Sequence, residues 1–169
     1  MPFSLIPKRI YPDIYALKPA ELRAEGVRVI FADLDNTLIR YSRKTATPEL
    51  KAWKAELEAA GIRLFLVSNS RKPNRPGVFS ESLGIDFIGH AGKPKQGCFD
   101  RALSVCGVKP EEAVMIGDQI FTDILGANRA GIRSWLIQPI ALDTIFRRIR
   151  YGFEWLFRVW CRDDRRRLK

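Results

Sequence analysis

The sequence VRVIFADLDNTLIR, at residues 27–40, decides the fold of this chain. Its apolar start, residues 27–32, is rich in β-branched side chains and predicts a buried strand. Asp33 and Asp35 follow, and because side chains alternate along a strand, both carboxylates leave its end on the same side. Two such charges repel each other, and a hard cation such as Mg²⁺ would relieve the repulsion. The alternative is a solvated junction between a strand and a turn.

Composition limits the class of protein. The chain has 169 residues, of which 46% are hydrophobic, and this fits one domain with a substantial core. No apolar run is long enough to span a bilayer, and Pro2 and Pro7 interrupt the region where a secretion signal would be continuously apolar. Three cysteines without a CxxC pair indicate reduced thiols and a cytoplasmic protein. The single histidine, His90, excludes a histidine-rich zinc site and argues against a Ser-His-Asp hydrolase.

Positive charge is concentrated near the C-terminus. The net charge is +10, and residues 144–169 hold +6 of it, because this segment contains nine basic residues and three acidic ones. A basic segment of this kind predicts an acidic partner, which is anionic lipid, nucleic acid or an acidic protein.

The chain divides into three predicted regions. Residues 1–24 combine four prolines with many apolar side chains, which predicts an arm that packs on the domain or on a membrane surface. Residues 25–140 form the predicted catalytic domain, and residues 141–169 form a basic C-terminal segment. The predicted strands lie at 27–32, 62–67, 86–89, 113–116 and 132–137. The predicted helices lie at 19–25, 47–61, 78–83, 96–106 and 120–130.

The alternation of strands and helices predicts an α/β fold, a Rossmann-like parallel sheet with helices on both faces. Ligands bind such sheets at the carboxyl ends of the strands. Asp33, Ser68, Lys93 and Asp118 all lie at or just after those ends. The sequence therefore predicts that these four residues share one site.

Four short motifs give the chain a family resemblance. They are DLDNT at 33–37, SNS at 68–70, KP at 93–94 and GDQIFTD at 117–123. In order and spacing they resemble the motifs of the haloacid dehalogenase superfamily. The longer pattern GDQxxTDxxGANRxG, at 117–131, is similar to the class IIIA, YqeG-type phosphatases, which include phosphatidylglycerophosphatase. The resemblance covers about residues 5–140 and implies a Mg²⁺-dependent phosphomonoester hydrolase.

The resemblance also implies roles for the acidic residues. Asp33 would be the nucleophile that forms an aspartyl-phosphate. Asp35 would protonate the leaving alcohol and then activate the hydrolytic water. Mg²⁺ would be held by Asp33, by the main-chain carbonyl of Asp35 and by Asp118. Asp123 would orient these ligands from behind.

Ser68 and Lys93 complete the implied catalytic set. Ser68 would hydrogen-bond a phosphoryl oxygen, and Lys93 would offset the charge that develops on the phosphoryl group. Lys95 is a rival for the second role, and Lys93 is preferred because Pro94 follows it, as in the family pattern. Taken singly, a serine such as Ser68 is more often a turn hydroxyl and a lysine such as Lys93 is more often solvated.

The site is predicted to be open. Only about a dozen residues separate Asn36 from the helix that starts at Thr47, which leaves no room for a cap domain. An open site accepts a phosphate carried by a large molecule. Asn69, Arg71 and Arg75 are predicted substrate-binding residues, because a second phosphate beside the site would need basic partners. The alternative is a solvated basic loop.

The C-terminal segment predicts an amphipathic helix. Its apolar residues share one face of a helical wheel, namely Ile145, Phe146, Ile149, Phe153, Leu156, Phe157 and Trp160. The opposite face carries Arg147, Arg150, Arg158, Arg162 and Glu154. This pattern is typical of a helix in an anionic membrane interface. The alternative is a helix whose apolar face packs on the domain.

Three functions follow from these patterns. The leading hypothesis is a cytoplasmic, peripherally membrane-associated phosphatase that converts phosphatidylglycerophosphate to phosphatidylglycerol. The second is a soluble phosphatase acting on small sugar or nucleotide phosphates. The third is a nucleic-acid or ribosome-associated binding protein, which is disfavoured because the aromatic side chains lie opposite the arginines, where they could not form a joint stacking surface.

Overall fold

The chain folds around one six-stranded parallel sheet. The structure, a computed structural model, describes residues 4–72, 74–141 and 145–159. The strands are β1 (Arg9–Tyr11), β2 (Val29–Ala32), β3 (Arg63–Val67), β4 (Phe87–Ile88), β5 (Ala113–Gly117) and β6 (Arg133–Ile137). Their order across the sheet is β1-β6-β5-β2-β3-β4, and every neighbouring pair is parallel. The predicted α/β Rossmann-like fold is confirmed.

Helices connect the strands. They are α1 (Pro19–Ala24), α2 (Pro48–Ala59), α3 (Arg75–Leu83), α4 (Gly97–Cys106), α5 (Leu125–Arg129) and α6 (Ile145–Val159). A π-helical turn, Ile120–Ile124, precedes α5, and two short 3₁₀ helices lie at Ile14–Ala16 and Pro110–Glu112. The start of α2 follows its sequence signal, because the Thr47 hydroxyl accepts a hydrogen bond from the main-chain N–H of Leu50 at 3.2 Å.

The sheet is covered on both faces, as predicted. One buried cluster joins the sheet to α1, α2 and α3 through Leu22, Trp53, Leu57 and Phe79. A second cluster joins the opposite face to α4 and α5 through Phe99, Ala102 and Ala127. In the described part of the chain, no domain is inserted between β2 and α2 or between β4 and α4, so the carboxyl edge of the sheet stays open.

The N-terminal arm belongs to this domain. Sequence patterns predicted an arm over residues 1–24 that packs on the domain or on a membrane surface. In the structure, Ile14, Leu17 and Leu22 belong to the buried core, and the arm also adds the edge strand β1, which was not predicted. Ile10 pairs with Leu136 of β6, and the Asn128 side chain donates to the carbonyl of Ser4 at 2.9 Å. A three-residue strand among prolines is too short to show a period of two.

Helix α6 lies on the domain through an unexpected face. Glu154 is buried and accepts a hydrogen bond from the main-chain N–H of Ile120 at 3.0 Å. Tyr151 donates to the Gln138 side chain at 2.9 Å, and Phe157 stacks edge-on against Phe121 at 6.1 Å between ring centroids. The side of the helix that carries Glu154 therefore meets the domain.

Two of the described side chains from the predicted apolar face of α6 are exposed. Ile149 and Phe153 expose 53% and 71% of their surface. Phe157, from the same predicted face, is partly buried against the domain. Trp160 and Arg162 lie outside the described residues, as do the side chains of the other residues predicted on the two faces, namely Ile145, Phe146, Leu156, Arg147, Arg150 and Arg158.

We predict that Gly126→Ala destabilises the protein by about 1–3 kcal/mol, because a methyl group in a packed core forces its neighbours apart. A Cβ at Gly126 would lie 2.5 Å from Cε2 of Phe99 and 3.2 Å from Cα of Pro94. Urea unfolding measures the change. Gly97→Ala is the matched control, since no neighbouring atom lies within 4 Å of its Cβ position. Equal effects of the two substitutions would contradict the packing interpretation.

Candidate active site

Three adjacent strands deliver the central polar residues. Asp33 follows β2, Ser68 follows β3 and Asp118 follows β5, and β2 lies between the other two strands in the sheet. All three side chains are buried. The structure therefore brings these predicted residues together at one edge, because parallel strands end on the same side of a sheet.

A tight turn follows Asp33. Asn36 adopts a left-handed conformation (φ 66°), which asparagine tolerates better than most residues. Its main-chain N–H donates to the carbonyl of Ile39 at 2.8 Å, and the carbonyl of Leu34 accepts from both Leu38 and Ile39. Asp35 is thus held at the start of a closed loop rather than in a solvated turn.

The Lys93 ammonium lies between two carboxylates. Its Nζ is 2.7 Å from Oδ1 of Asp33 and 2.7 Å from Oδ1 of Asp123, and it donates to the Val67 carbonyl at 2.6 Å. Burial by itself lowers the pKa of Lys93, but the carboxylates of Asp123 and Asp33 outweigh burial and hold that pKa above its usual range. The lysine therefore stays charged, whereas its rival Lys95 is exposed.

Asp123 is buried behind Asp33. Its Oδ2 accepts from the main-chain N–H of Gln119 at 3.2 Å. Burial raises the pKa of Asp123 to about 6, with Lys93 opposing the rise and Asp33 adding to it. The carboxylate also requires Gly117, because a Cβ there would lie 2.2 Å from Oδ2 of Asp123.

The three acidic residues form a cluster that could hold a metal ion. Asp33, Asp118 and Asp123 each bring a carboxylate oxygen to within 4.8 Å of the others. Oδ2 of Asp33 is buried and receives no hydrogen bond from any described residue, and a buried oxygen normally has a partner. An all-oxygen donor set fits a hard divalent cation. Asp123 was predicted to orient the ligands, and one of its carboxylate oxygens lies within this cluster, so its role toward a metal stays a prediction.

Asp35 is bound by Arg75, which sequence patterns did not predict. Nε and Nη2 of Arg75 donate to Oδ1 of Asp35 at 2.8 and 2.6 Å. Arg75 was predicted to bind substrate, but its side chain is buried and engaged by protein acceptors. A pair 40 residues apart leaves no periodic signal in the sequence.

Asn69 holds the loop that carries Lys93. Its side-chain amide donates to the Lys93 carbonyl at 2.9 Å, and its side-chain oxygen accepts from the Lys93 N–H at 2.9 Å. The two hydrogen bonds give Asn69 a structural partner, and its contact with substrate stays a prediction. Arg71 is exposed, and the Ser68 hydroxyl accepts from the N–H of Ser70 at 3.1 Å.

The chemistry of this arrangement is that of phosphoryl transfer. A carboxylate nucleophile needs a nearby cation to offset the charge on the phosphoryl oxygens. Lys93 supplies one positive charge beside Asp33, and a bound divalent metal would supply more. The second carboxylate, Asp35, follows two residues later and is suited to proton transfer.

Comparison with known proteins agrees with this chemistry. Residues 6–131 match the family model of the haloacid dehalogenase-like hydrolases. The chain is 41% identical to the "Probable phosphatase YqeG" of Bacillus subtilis over 136 residues, which are 80% of this chain and 78% of that protein.

A second relative is the chloroplastic phosphatidylglycerophosphate phosphatase 1 of Chlamydomonas reinhardtii. The two chains are 31% identical over 144 residues, and the match covers 80% of this chain but about half (53%) of that relative. Among solved structures, the cobalt-bound deoxy-D-mannose-octulosonate 8-phosphate phosphatase of Haemophilus influenzae superimposes with a TM-score of 0.53 at 20% identity and covers 75% of each chain. That similarity supports the fold.

We predict that Lys93→Met lowers the rate of phosphate release from a phosphomonoester by about 10²–10³-fold, because a cation at the reacting centre is removed. It should also lower the melting temperature, since two buried carboxylates lose their partner. Lys95→Met removes the same charge two residues away and should change neither quantity. Equal activity of the two variants would show that Lys93 has no part in the reaction.

Proposed function

The chain belongs to the haloacid dehalogenase-like hydrolases and is a phosphatase of that family, and we propose that it hydrolyses the phosphomonoester of phosphatidylglycerophosphate at a membrane surface, with Mg²⁺ in the acidic cluster. The observation that carries the chemistry is the Asp33 carboxylate at the end of β2 with the Lys93 ammonium 2.7 Å away. The observation that favours this lipid is the match over 80% of the chain to a phosphatidylglycerophosphate phosphatase.

The proposed reaction has two steps. Asp33 attacks phosphorus, a P–O bond forms to its carboxylate, and the P–O bond to the lipid alcohol breaks while Asp35 gives that alcohol a proton. Asp35 then takes a proton from a water molecule, whose oxygen attacks phosphorus and breaks the acyl-phosphate bond. Inorganic phosphate leaves, and the Asp33 carboxylate is restored.

Several residues would support these steps. Lys93 would offset the negative charge on the phosphoryl oxygens in both steps, and the Ser68 hydroxyl would donate a hydrogen bond to one of these oxygens. Asp33, Asp118 and Asp123 would hold Mg²⁺, together with the predicted main-chain carbonyl of Asp35. When bound, the ion would neutralise the carboxylates and the phosphate together.

The open edge of the sheet is suited to a substrate with a second phosphate. Arg71 is exposed two residues beyond Asn69, and a small basic cavity of about 190 Å³ is lined in part by Arg75, the partner of Asp35. The cavity is lined by Tyr41, Ser42, Lys44, Lys72, Asn74, Arg75 and Val78. In phosphatidylglycerophosphate the phosphodiester would meet Lys44 and Lys72 of this rim. Asn69 and Arg75 would act on the substrate through Lys93 and Asp35, which they already contact.

Helix α6 is the proposed membrane contact. Among the described helices, none is both long and apolar enough to cross a bilayer. Ile149, Phe153 and Trp155 are exposed on α6, and Arg148 is exposed beside them. Apolar side chains flanked by arginine suit the boundary between headgroups and acyl chains of an anionic membrane. The domain would thereby be held at the lipid surface.

The lipid assignment predicts Mg²⁺-dependent phosphate release from phosphatidylglycerophosphate in mixed micelles. Release should be abolished by a chelator and by Asp33→Asn, because the first removes the cation and the second the nucleophile. Phosphate release is measured with a colorimetric assay. High turnover of sugar or nucleotide phosphates, with none of the lipid, would support the soluble alternative and overturn the lipid substrate.

The membrane assignment predicts that Ile149→Ser and Phe153→Ser each weaken binding to vesicles containing phosphatidylglycerol by about 2 kcal/mol, the value of burying one large apolar side chain. Vesicle co-sedimentation measures the change. Val105→Ser is the matched control, because Val105 is 55% exposed and lies on α4. Equal binding by all three variants would remove α6 from the membrane contact.

A further inference from the structure

Arg75 is a buried arginine placed on a reactive carboxylate. Arg75 is only 7% exposed, although it is the first residue of α3 and lies beside an open site. The two hydrogen bonds from Nε and Nη2 converge on one oxygen, Oδ1 of Asp35. These charge-assisted hydrogen bonds hold Oδ1 in place, and fixing one oxygen fixes the rotation of the carboxylate about its Cβ–Cγ bond.

The same guanidinium also holds the loop that follows Asp35. Nη1 donates to the carbonyl of Arg43 at 2.6 Å, and Nη2 to the carbonyl of Arg40 at 3.3 Å. The Tyr41 ring lies 5.3 Å from its central carbon. One side chain thus ties α3 to both ends of the stretch from Asp35 to Arg43.

We propose that Arg75 is a positioning residue for Asp35, required for proton transfer to the leaving group and not for binding of the phosphate. The proposal rests on the proposed function of Asp35 as the proton donor. An oxygen that accepts two N–H groups is occupied as an acceptor, so the proton passes to the leaving alcohol from Oδ2. Arg75 sets where that second oxygen points.

The donor count supports positioning over phosphate binding. Four of the five N–H donors of an arginine are used in the contacts to Asp35, Arg40 and Arg43. A lysine could hold one of these acceptors but not the whole set, because its three donors diverge from a single nitrogen. The fork geometry is therefore the property on which Asp35 depends.

Two aryl phosphates of similar shape test this assignment. The leaving group of 4-nitrophenyl phosphate departs without a proton, whereas that of phenyl phosphate needs one. For Arg75→Gln, kcat/KM with phenyl phosphate should fall about 10–100-fold, because misplacing the acid removes part of the roughly 10²–10⁴-fold that general-acid catalysis contributes. With 4-nitrophenyl phosphate, kcat/KM should change by less than about threefold, and KM should rise for neither substrate. Equal losses on both substrates with a raised KM would overturn the proposal and make Arg75 a phosphate ligand.

Further variants separate this role from folding and from the proposed function. Arg75→Lys should give an intermediate loss with phenyl phosphate, and it carries the test if Arg75→Gln fails to show a normal thermal transition. Arg63→Gln is the matched control, since it removes an arginine paired with Asp86 on the surface. It should leave kcat/KM unchanged for both substrates.

Asp35→Asn should discriminate between the substrates at least as strongly as Arg75→Gln, and the double variant should be no worse than Asp35→Asn alone, because both changes interrupt one step. If Asp35→Asn does not discriminate, the proton-donor role of Asp35 fails and the proposal fails with it. If Asp35→Asn discriminates and Arg75→Gln does not, only the role of Arg75 is overturned.

Discussion

The contact of the Lys93 ammonium with the carboxylates of Asp33 and Asp123 is the interaction on which the site depends. Three parallel strands deliver acidic and polar side chains to one edge, and buried like charges would otherwise drive that edge apart. Nearby features serve this contact. Asn69 holds the main chain of Lys93 from both sides, and Gly117 leaves space for the Asp123 carboxylate. The residues around the site therefore stabilise the buried ion pairs of Lys93 in addition to the apolar core.

The charge balance of the site is incomplete without a further cation. Asp33, Asp118, Asp123 and Lys93 together carry two net negative charges when all four groups are ionised. Burial already raises the pKa of Asp123 to about 6, and the neighbouring Asp33 carboxylate adds to this rise while Lys93 opposes it. A divalent cation would neutralise the remaining charge, and a phosphate could then approach the cluster without strong repulsion. The excess negative charge destabilises the folded protein, but it would also attract the cation that lets an anionic substrate bind.

Sequence patterns predicted the parts of the fold that local physics controls. The strand ending in Asp33 and the start of α2 at Thr47 and Pro48 follow from short-range rules, and the clustering of Asp33, Ser68, Lys93 and Asp118 follows from the geometry of parallel sheets. The family resemblance selected Lys93 over Lys95, and the structure places Lys93 inside the cluster. The roles of these residues in the reaction stay predictions.

Other features depend on tertiary contacts that have no local signal. The pair Asp35–Arg75 joins residues far apart in the chain, and no periodicity links them. For α6, a helical wheel shows which residues share a face but not which face meets the domain. The contacts of Tyr151, Glu154 and Phe157 with the domain orient the helix, and the hydrogen bond that buried Glu154 accepts from Ile120 is not expected from the apolar pattern. Sequence patterns did not predict strand β1, because a three-residue strand is too short to show the alternation of side chains.

The π-helical turn at Ile120–Ile124 ties the site to an exact count of residues. The N–H of Ile124 donates to the carbonyl of Gln119, and that of Leu125 donates to Ile120, so each bond spans five residues. Such a turn contains one residue more than an α-helical turn. Removing a residue would let an ordinary helix form but would rotate the preceding side chains by about 100° relative to α5. Asp123 would then leave Lys93. Homologous chains should therefore accept substitutions in this segment more readily than insertions or deletions.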